Sequence, residues 1–444
     1  MKRLIAIIMI FPLLTVVAPA SPRGEEKIEL TLARAVEYAI ENNLSVRSSR
    51  LDTEASKYGL WEAIAPGLPQ VNGNASLNDN LKLMTTLLPG EFFGQPGEKI
   101  PVQFGSKYNT GFSAQASMLL FNGAYIVGIQ TASLAQKLAT LSLAKSELEI
   151  REAVTMSYYL ILISEESMGI IDGNIETMEK TLASTRAMLG AGMAEETDVE
   201  QVELNLSLIR NSRSSMERNI EYNYNMMRFL LGVDPETDIS LTDRLPAIMA
   251  AVDAETLINS GFNIQNNIDF RLINGQVQMS ELAVKMQKSM VLPTLSTFYS
   301  YSKSGQGDKL NDLQWFPNSM LGFQLSVPIF ASGERYARIK KANVNLIKAQ
   351  TGQQLVTEQL LVQERQLRFN LMSANEQYKM QKVNIELAKK VYQSLENKYS
   401  QGMASSLELS QANANYLQAE NNYVSALMSL LQAKTALDKL LGNL

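Results

Sequence analysis

Two hydrophobic periods alternate along the chain. In the first, Ile126, Ile129, Leu134, Leu138, Leu141, Leu148 and Val154 recur at intervals that follow the turns of a helix. Ile339, Val344, Ile347, Leu355, Leu360, Val362 and Leu367 repeat the pattern later. Proline is absent between Pro101 and Pro235, and again from Pro328 to Leu444. Interior proline breaks a helix, so these runs permit unusually long ones. Helices are predicted over 124–189 and 334–400, each roughly 100 Å long at ~1.5 Å per residue. Such lengths require coiled-coil-like partners. Gly192-Met193 and Gly402-Met403 interrupt the two runs, and returning helices are expected over 196–231 and 405–441. The result is two antiparallel helical hairpins.

The second period is two. Residues 70–77, 111–118, 294–301 and 321–327 alternate apolar with small, mostly uncharged polar residues. They predict strands over about 68–79, 107–121, 293–303 and 318–330. An ordinary exposed sheet would carry Lys and Glu on its wet face. A membrane barrel wall instead wants an apolar outside and a polar inside. The connections 78–106 and 303–318 suit surface loops better than tight hairpins. Each long helix follows its strand directly, at Phe121-Asn122-Gly123 and at Phe330-Ala331-Ser332-Gly333. Gly123 and Gly333 are expected to let the backbone swing from strand to helix.

The chain is also duplicated. Asn43-Leu44-Ser45-Val46-Arg47 aligns with Asn267-Ile268-Asp269-Phe270-Arg271, and Leu68-Pro69 with Leu292-Pro293. Leu120-Phe121 aligns with Ile329-Phe330, and Gly192-Met193 with Gly402-Met403. Each half reads helix, strand, loop, strand, very long helix, turn, helix. The expected repeats are 21–240 and 241–444, joined by a connector near 231–260.

Composition narrows the chemistry. The 444 residues include no Cys and no His. That removes disulfides, thiolate or imidazole metal sites and the Ser-His-Asp triad. Glu165-Glu166 and Glu195-Glu196 are neighbours that point apart on a helix, so they form no acid/base pair. No catalytic residue, metal or cofactor is expected. Lys2 and Arg3, an apolar stretch over 4–17 and Ala18-Pro19-Ala20 form a signal peptide over 1–20. Its removal leaves 38 basic against 45 acidic residues, a net charge of −7 that argues against a nucleic-acid partner. No later run gives 18 consecutive apolar residues, so a membrane crossing would have to use strands.

Four strands cannot close a barrel, and open edges leave unpaired backbone groups in lipid. Several chains must share the closure. Two supply eight strands around a filled interior, and three supply twelve around a lumen. With Leu30-Thr31-Leu32, Ala35, Ala39, Asn42-Asn43, the duplicated halves, Leu120-Phe121-Asn122-Gly123 and the paired Gly-Met turns, the chain resembles the TolC-type outer-membrane efflux proteins. The resemblance covers essentially the whole mature chain. It implies a mainly α-helical homotrimer with a twelve-stranded β-barrel in outer-membrane lipid and a helical tunnel in the periplasm. It also implies a closed entrance, a periplasmic adaptor and an inner-membrane transporter as partners, and export of drugs, toxic compounds or proteins. The alternative from another class is a soluble periplasmic coiled-coil structural or adaptor protein.

Site residues follow from the same resemblance. Thr197, Asp198, Glu408 and Gln411 would line the narrowest point, and Tyr399 matches a gate tyrosine. Three copies of Asp198 and Glu408 would form acidic rings that favour cations. Bonds from Tyr399 and Thr197 to neighbouring helices would hold the tips shut. Ala404 stands where some members carry a gate arginine, so a salt-bridge latch is not expected there. Gly192, Met193, Gly402 and Met403 would form the tips that touch the adaptor. Phe121 and Phe330 fit an aromatic girdle at the membrane interface. The plainer readings are helix capping for the acids and simple packing for the aromatics.

Overall fold

The computed structural model describes residues 28–94, 97, 99–250 and 252–444; the expected signal peptide lies outside them. The chain begins with a short strand, β1 (Ile28–Leu30), followed by helices α1 (Leu32–Asn42) and α2 (Leu44–Ile64). Asn43 breaks them apart. Its Oδ1 accepts from the Ser45 and Val46 amides, which caps α2. Its Nδ2 donates to the Leu230 carbonyl at 2.8 Å.

Strands β2 (Gln70–Asp79), β3 (Met84–Pro89), β4 (Lys99–Phe104) and β5 (Tyr108–Phe121) come next, then the 68-residue helix α3 (Gly123–Gly190) and its return, α4 (Glu196–Leu231). The connector holds β6 (Ile239–Leu241), α5 (Leu245–Ala250) and α6 (Ala254–Asn259). β6 pairs in parallel with β1. The second half runs α7 (Ile268–Ser289), β7 (Thr294–Gly307), β8 (Gln314–Ser326), α8 (Glu334–Ser400) and α9 (Ser406–Leu441). Asn267 caps α7 as Asn43 caps α2, and its Nδ2 reaches the Leu440 carbonyl at 3.2 Å. The same asparagine thus does the same two jobs in both halves.

The principal sheet has the order β2-β5-β7-β8, all antiparallel. The two halves meet at its centre through β5 and β7. The registers sort most side chains by polarity, with Phe298 and Met320 on the polar face and Lys303 on the apolar one as exceptions. Val71, Phe112, Ala116, Tyr299, Leu321 and Phe323 share one face. Asn72, Gln115, Ser117, Ser300 and Gln324 share the other. The apolar face is left in the open, with Val71, Leu321 and Phe323 all exposed. Among the described residues, the outer edges of β2 and β8 have no strand partner.

Three expectations change. The segment 78–106 is no open loop, because β3 and β4 pair as an antiparallel hairpin within it. The segment 303–318 is also shorter than expected, since β7 and β8 continue to Gly307 and Gln314 and leave six residues between them. Pro317 hid this extension. It cannot donate to a ladder, yet β8 is an edge strand and tolerates it there. The last strand ends at Ser326 instead of 330, so Phe330 lies in an irregular link and not at a strand end. Pro328 stands in that link and cannot prolong the ladder.

The helical hairpins match their predicted bounds to within a residue. Their buried side chains form separate clusters along the bundle. One joins α1, the middle of α3, the end of α4 and α9 through Tyr158, Ile161, Met227 and Leu427. Another fills the tip half, with Met178, Val202, Tyr399 and Leu409.

Candidate functional site

The tips are built by one device used twice. Gly192 and Gly402 adopt φ of +70° and +72°, a left-handed conformation that favours glycine. The Met193 amide then bonds back to Met188 O and the Met403 amide to Lys398 O, each at 2.8 Å. This closes the ends of α3 and α8 in a Schellman arrangement. Met193 and Met403 are left exposed at the extremity.

The returning helices are capped by the predicted acids. Asp198 accepts from the Glu195 amide at 2.9 Å. Glu408 accepts from the Ser405 amide at 2.8 Å, and Ser405 Oγ accepts from the Glu408 amide at 3.2 Å. Asp198 also receives the hydroxyl of Ser406. That bond, with the Glu195 amide, holds the Asp198 carboxyl below its usual range. The Ser405 amide and hydroxyl do the same for Glu408. Both acids therefore keep their charge at neutral pH while they cap.

Tyr399 is buried, and its hydroxyl lies 2.6 Å from Thr185 Oγ1 on α3. Thr197 is exposed and reaches only the Glu195 carboxylate, at 3.4 Å. Gln411 is exposed and bonds Asn415 on its own helix. Of the predicted set, then, Asp198 and Tyr399 tie one hairpin to the other, whereas Thr197, Glu408 and Gln411 make local bonds. Asn205 donates to Ser410 at 2.7 Å, and Asn174 to Asn413 at 3.1 Å. Small polar contacts thus punctuate a seam that is otherwise filled by apolar side chains of all four helices, such as Met178, Val202, Tyr399 and Leu409. Sequence reasoning missed Thr185, Asn174, Asn413, Asn205, Ser406 and Ser410. Their signal was small polar residues on an otherwise apolar helical stripe.

The strand–helix junctions differ from each other. Phe121 ends β5, and Asn122 caps α3 through the Tyr125 amide at 2.9 Å. Gly123 needs no special backbone angle. A Cβ there would stand 2.7 Å from Leu292 Cδ1 and 3.0 Å from Ser289 O, so glycine permits close packing of α3 on the end of α7. Gly333 does adopt φ of +82°, after Ser332 at +45°. Phe330 is largely exposed in this second junction.

A duplicated chain whose membrane-type sheet runs on into long helical hairpins defines an outer-membrane channel class of fold. The chain belongs to the outer membrane efflux protein family, whose sequence profile matches residues 35–233 and 263–443. Its place is therefore the outer membrane. Among the described residues no helix is long and apolar enough to cross a membrane. In fold the chain resembles the transmembrane channel CusC, with a TM-score of 0.75 and 15% identity over 95% of each chain. It also resembles the outer-membrane protein VceC of Vibrio cholerae, at 0.71 and 14% over 93% of this chain and 96% of that one. CmeC, an outer-membrane channel of Campylobacter jejuni, gives 0.71 and 16% over 93% and 85%. The proteases secretion protein PrtF of Dickeya chrysanthemi is 20% identical over 216 residues, 47% of this chain and 46% of that protein. That match spans about half the length of the curated relative. The family assignment favours a membrane channel over a soluble periplasmic coiled-coil component.

Proposed function

We propose that three copies of the chain close one barrel and form the outer-membrane exit duct of an efflux or secretion system. The observation that carries this reading is the sheet. Its apolar face is open, its two outer edges have no partner among the described residues, and its strands lead into helices of 68 and 67 residues. In lipid such edges must pair, and a copy of the same chain offers the complementary edge. Twelve strands leave a lumen, lined by the polar face that carries Asn72, Gln115 and Ser300. The hairpins continue that lumen as a helical tube.

The duct is passive and does no chemistry on its cargo. Its entrance is the ring of helix tips. Tyr399–Thr185 and Asp198–Ser406 hold the two hairpins of each copy together there. Hydrogen bonds of this sort contribute about 1 kcal/mol each, so a docking protein can offset them. A periplasmic adaptor that grips Gly192, Met193, Gly402 and Met403 supplies that work, and an inner-membrane transporter selects the cargo. Single-particle imaging of detergent-solubilised protein tests the reading. A three-fold tube with a continuous cavity is expected; a monomer without a cavity would overturn it.

A further inference from the structure

Cations crowd the membrane-proximal end of one helix pair. In residues 334–348, Arg335, Arg338, Lys340, Lys341 and Lys348 stand against a single acid, Glu334. α7 adds Lys285 and Lys288 in its last turns, just before β7 begins. The corresponding start of α3 has only Lys137 within its first 15 residues. This bias occurs in a chain that is net acidic. It sits where the sheet ends, at the level of the inner leaflet of an outer membrane.

The geometry there is that of a site. A cleft of about 500 Å³ runs between α7 and α8 and is lined by Gln276, Ser280, Gln287, Arg338, Lys341 and Asn345, with Met279 and Met290 among them. Met290 closes α7 four residues before β7 starts, so the cleft reaches up to the strands. The link from β8 to α8 exposes Ile329 and Phe330, and Tyr336 is exposed in the first turn of α8. Lys340 lies over the Tyr336 ring, 5.4 Å from its centroid. Polar and cationic groups thus line the cleft together with Met279 and Met290, and apolar side chains of the link are exposed just before α8.

We propose that this cleft binds an anionic phospholipid of the periplasmic leaflet. Arg338 and Lys341 take the phosphate, amide side chains of Gln287 and Asn345 take the remaining headgroup oxygens, and Met290 with the exposed link meets the acyl chains. Charge complementarity selects the occupant, because a basic patch at a membrane surface attracts anionic lipid. The inference rests on the membrane reading of the sheet. In a trimer it gives three sites, one for each copy of α8.

The test uses the full mature chain purified in detergent. It is equilibrated with equal amounts of phosphatidylglycerol and phosphatidylcholine of matched acyl chains, and the retained lipid is weighed by mass spectrometry. The wild type is expected to enrich phosphatidylglycerol at least about fivefold, with the preference shrinking as salt rises. Arg338→Gln with Lys341→Gln should bring the ratio close to one while the particle keeps its size. Lys382→Gln, Lys389→Gln and Lys390→Gln, farther down α8, should leave the enrichment in place. No preference in the wild type, a preference that survives the double variant, or equal loss in the lower-helix variant each overturns the site. Those results leave the channel standing if the particle is still a trimeric tube. A protein that retains neither lipid and forms no tube takes both readings down.

Discussion

Glu420 is the most exposing test of how the helical bundle treats a charge. It lies on the inward face of α9, only 4% exposed, four residues from Tyr416 and three from Tyr423. Burial alone pushes its carboxyl up to about 7. The folded state therefore holds this proton more tightly than the unfolded chain does. The stability that the neutral acid contributes is complete below about 4.5 and is lost as pH rises through about 7. Glu420→Gln should match the wild type at pH 4 and exceed it by roughly 1–3 kcal/mol at pH 8. Thermal melts of the helical circular dichroism at the two pH values read this directly; a variant destabilised at both would show that the carboxylate is used as a charge. Asp198 and Glu408 behave in the opposite way, because their caps favour the ionised form. Replacing both by Ala removes the N3 half of two capping boxes and leaves the N-caps Glu195 and Ser405 in place. In the proposed trimer it also removes six charges from the entrance, so cation selectivity in single-channel recordings should fall. Unchanged selectivity would confine these acids to capping.

At the scale of elements, the proposed opening of the tips separates the two hairpins along their seam. Apolar clusters join the helices of both hairpins, and within that seam hydrogen bonds such as Tyr399–Thr185 and Asn174–Asn413 cross from one hairpin to the other. Thr185→Val and Tyr399→Phe each delete one side of the same buried contact. Each should cost about 1 kcal/mol locally. The double variant should cost little more than either alone, since the two residues share one interaction. Faster amide exchange in the turns at Gly192 and Gly402, with larger conductance, is the expected readout. Additive effects would mean that the two side chains act separately. The duplicated helices were legible at this scale because periodicity and proline exclusion are local signals. The β3–β4 hairpin was not, since Pro89, Pro96 and Pro101 make that segment read as a loop. Its pairing comes from the register of two strands brought face to face.

For the whole molecule, the proposed closure by other copies rests on the outer edges of β2 and β8, which have no strand partner among the described residues. The natural absence of cysteine makes this simple to examine. One cysteine placed on β2 and one on β8 should cross-link the oxidised protein through dimer to trimer in the outer-membrane fraction, with no larger product. A ladder that continues past three would indicate an open assembly and not a closed barrel.

The sequence by itself determined the elements and their two-fold repetition. Hydrophobic period, proline spacing and the Gly-Met breaks act over a few residues, and they located the hairpins, the strands and the helix-terminating glycines. It also determined which face of each strand avoids water, because alternation in a strand needs no partner to be read. Only the tertiary structure decided which polar residues meet. Tyr399 was visible as an aromatic near a turn, but Thr185 lies 214 positions away and carries no local mark. The same holds for Ser406 against Asp198, and for Gly123, whose purpose is the nearness of Leu292 and Ser289. Contacts between distant segments depend on how long helices cross, and a difference of one turn in that crossing exchanges every partner along the seam.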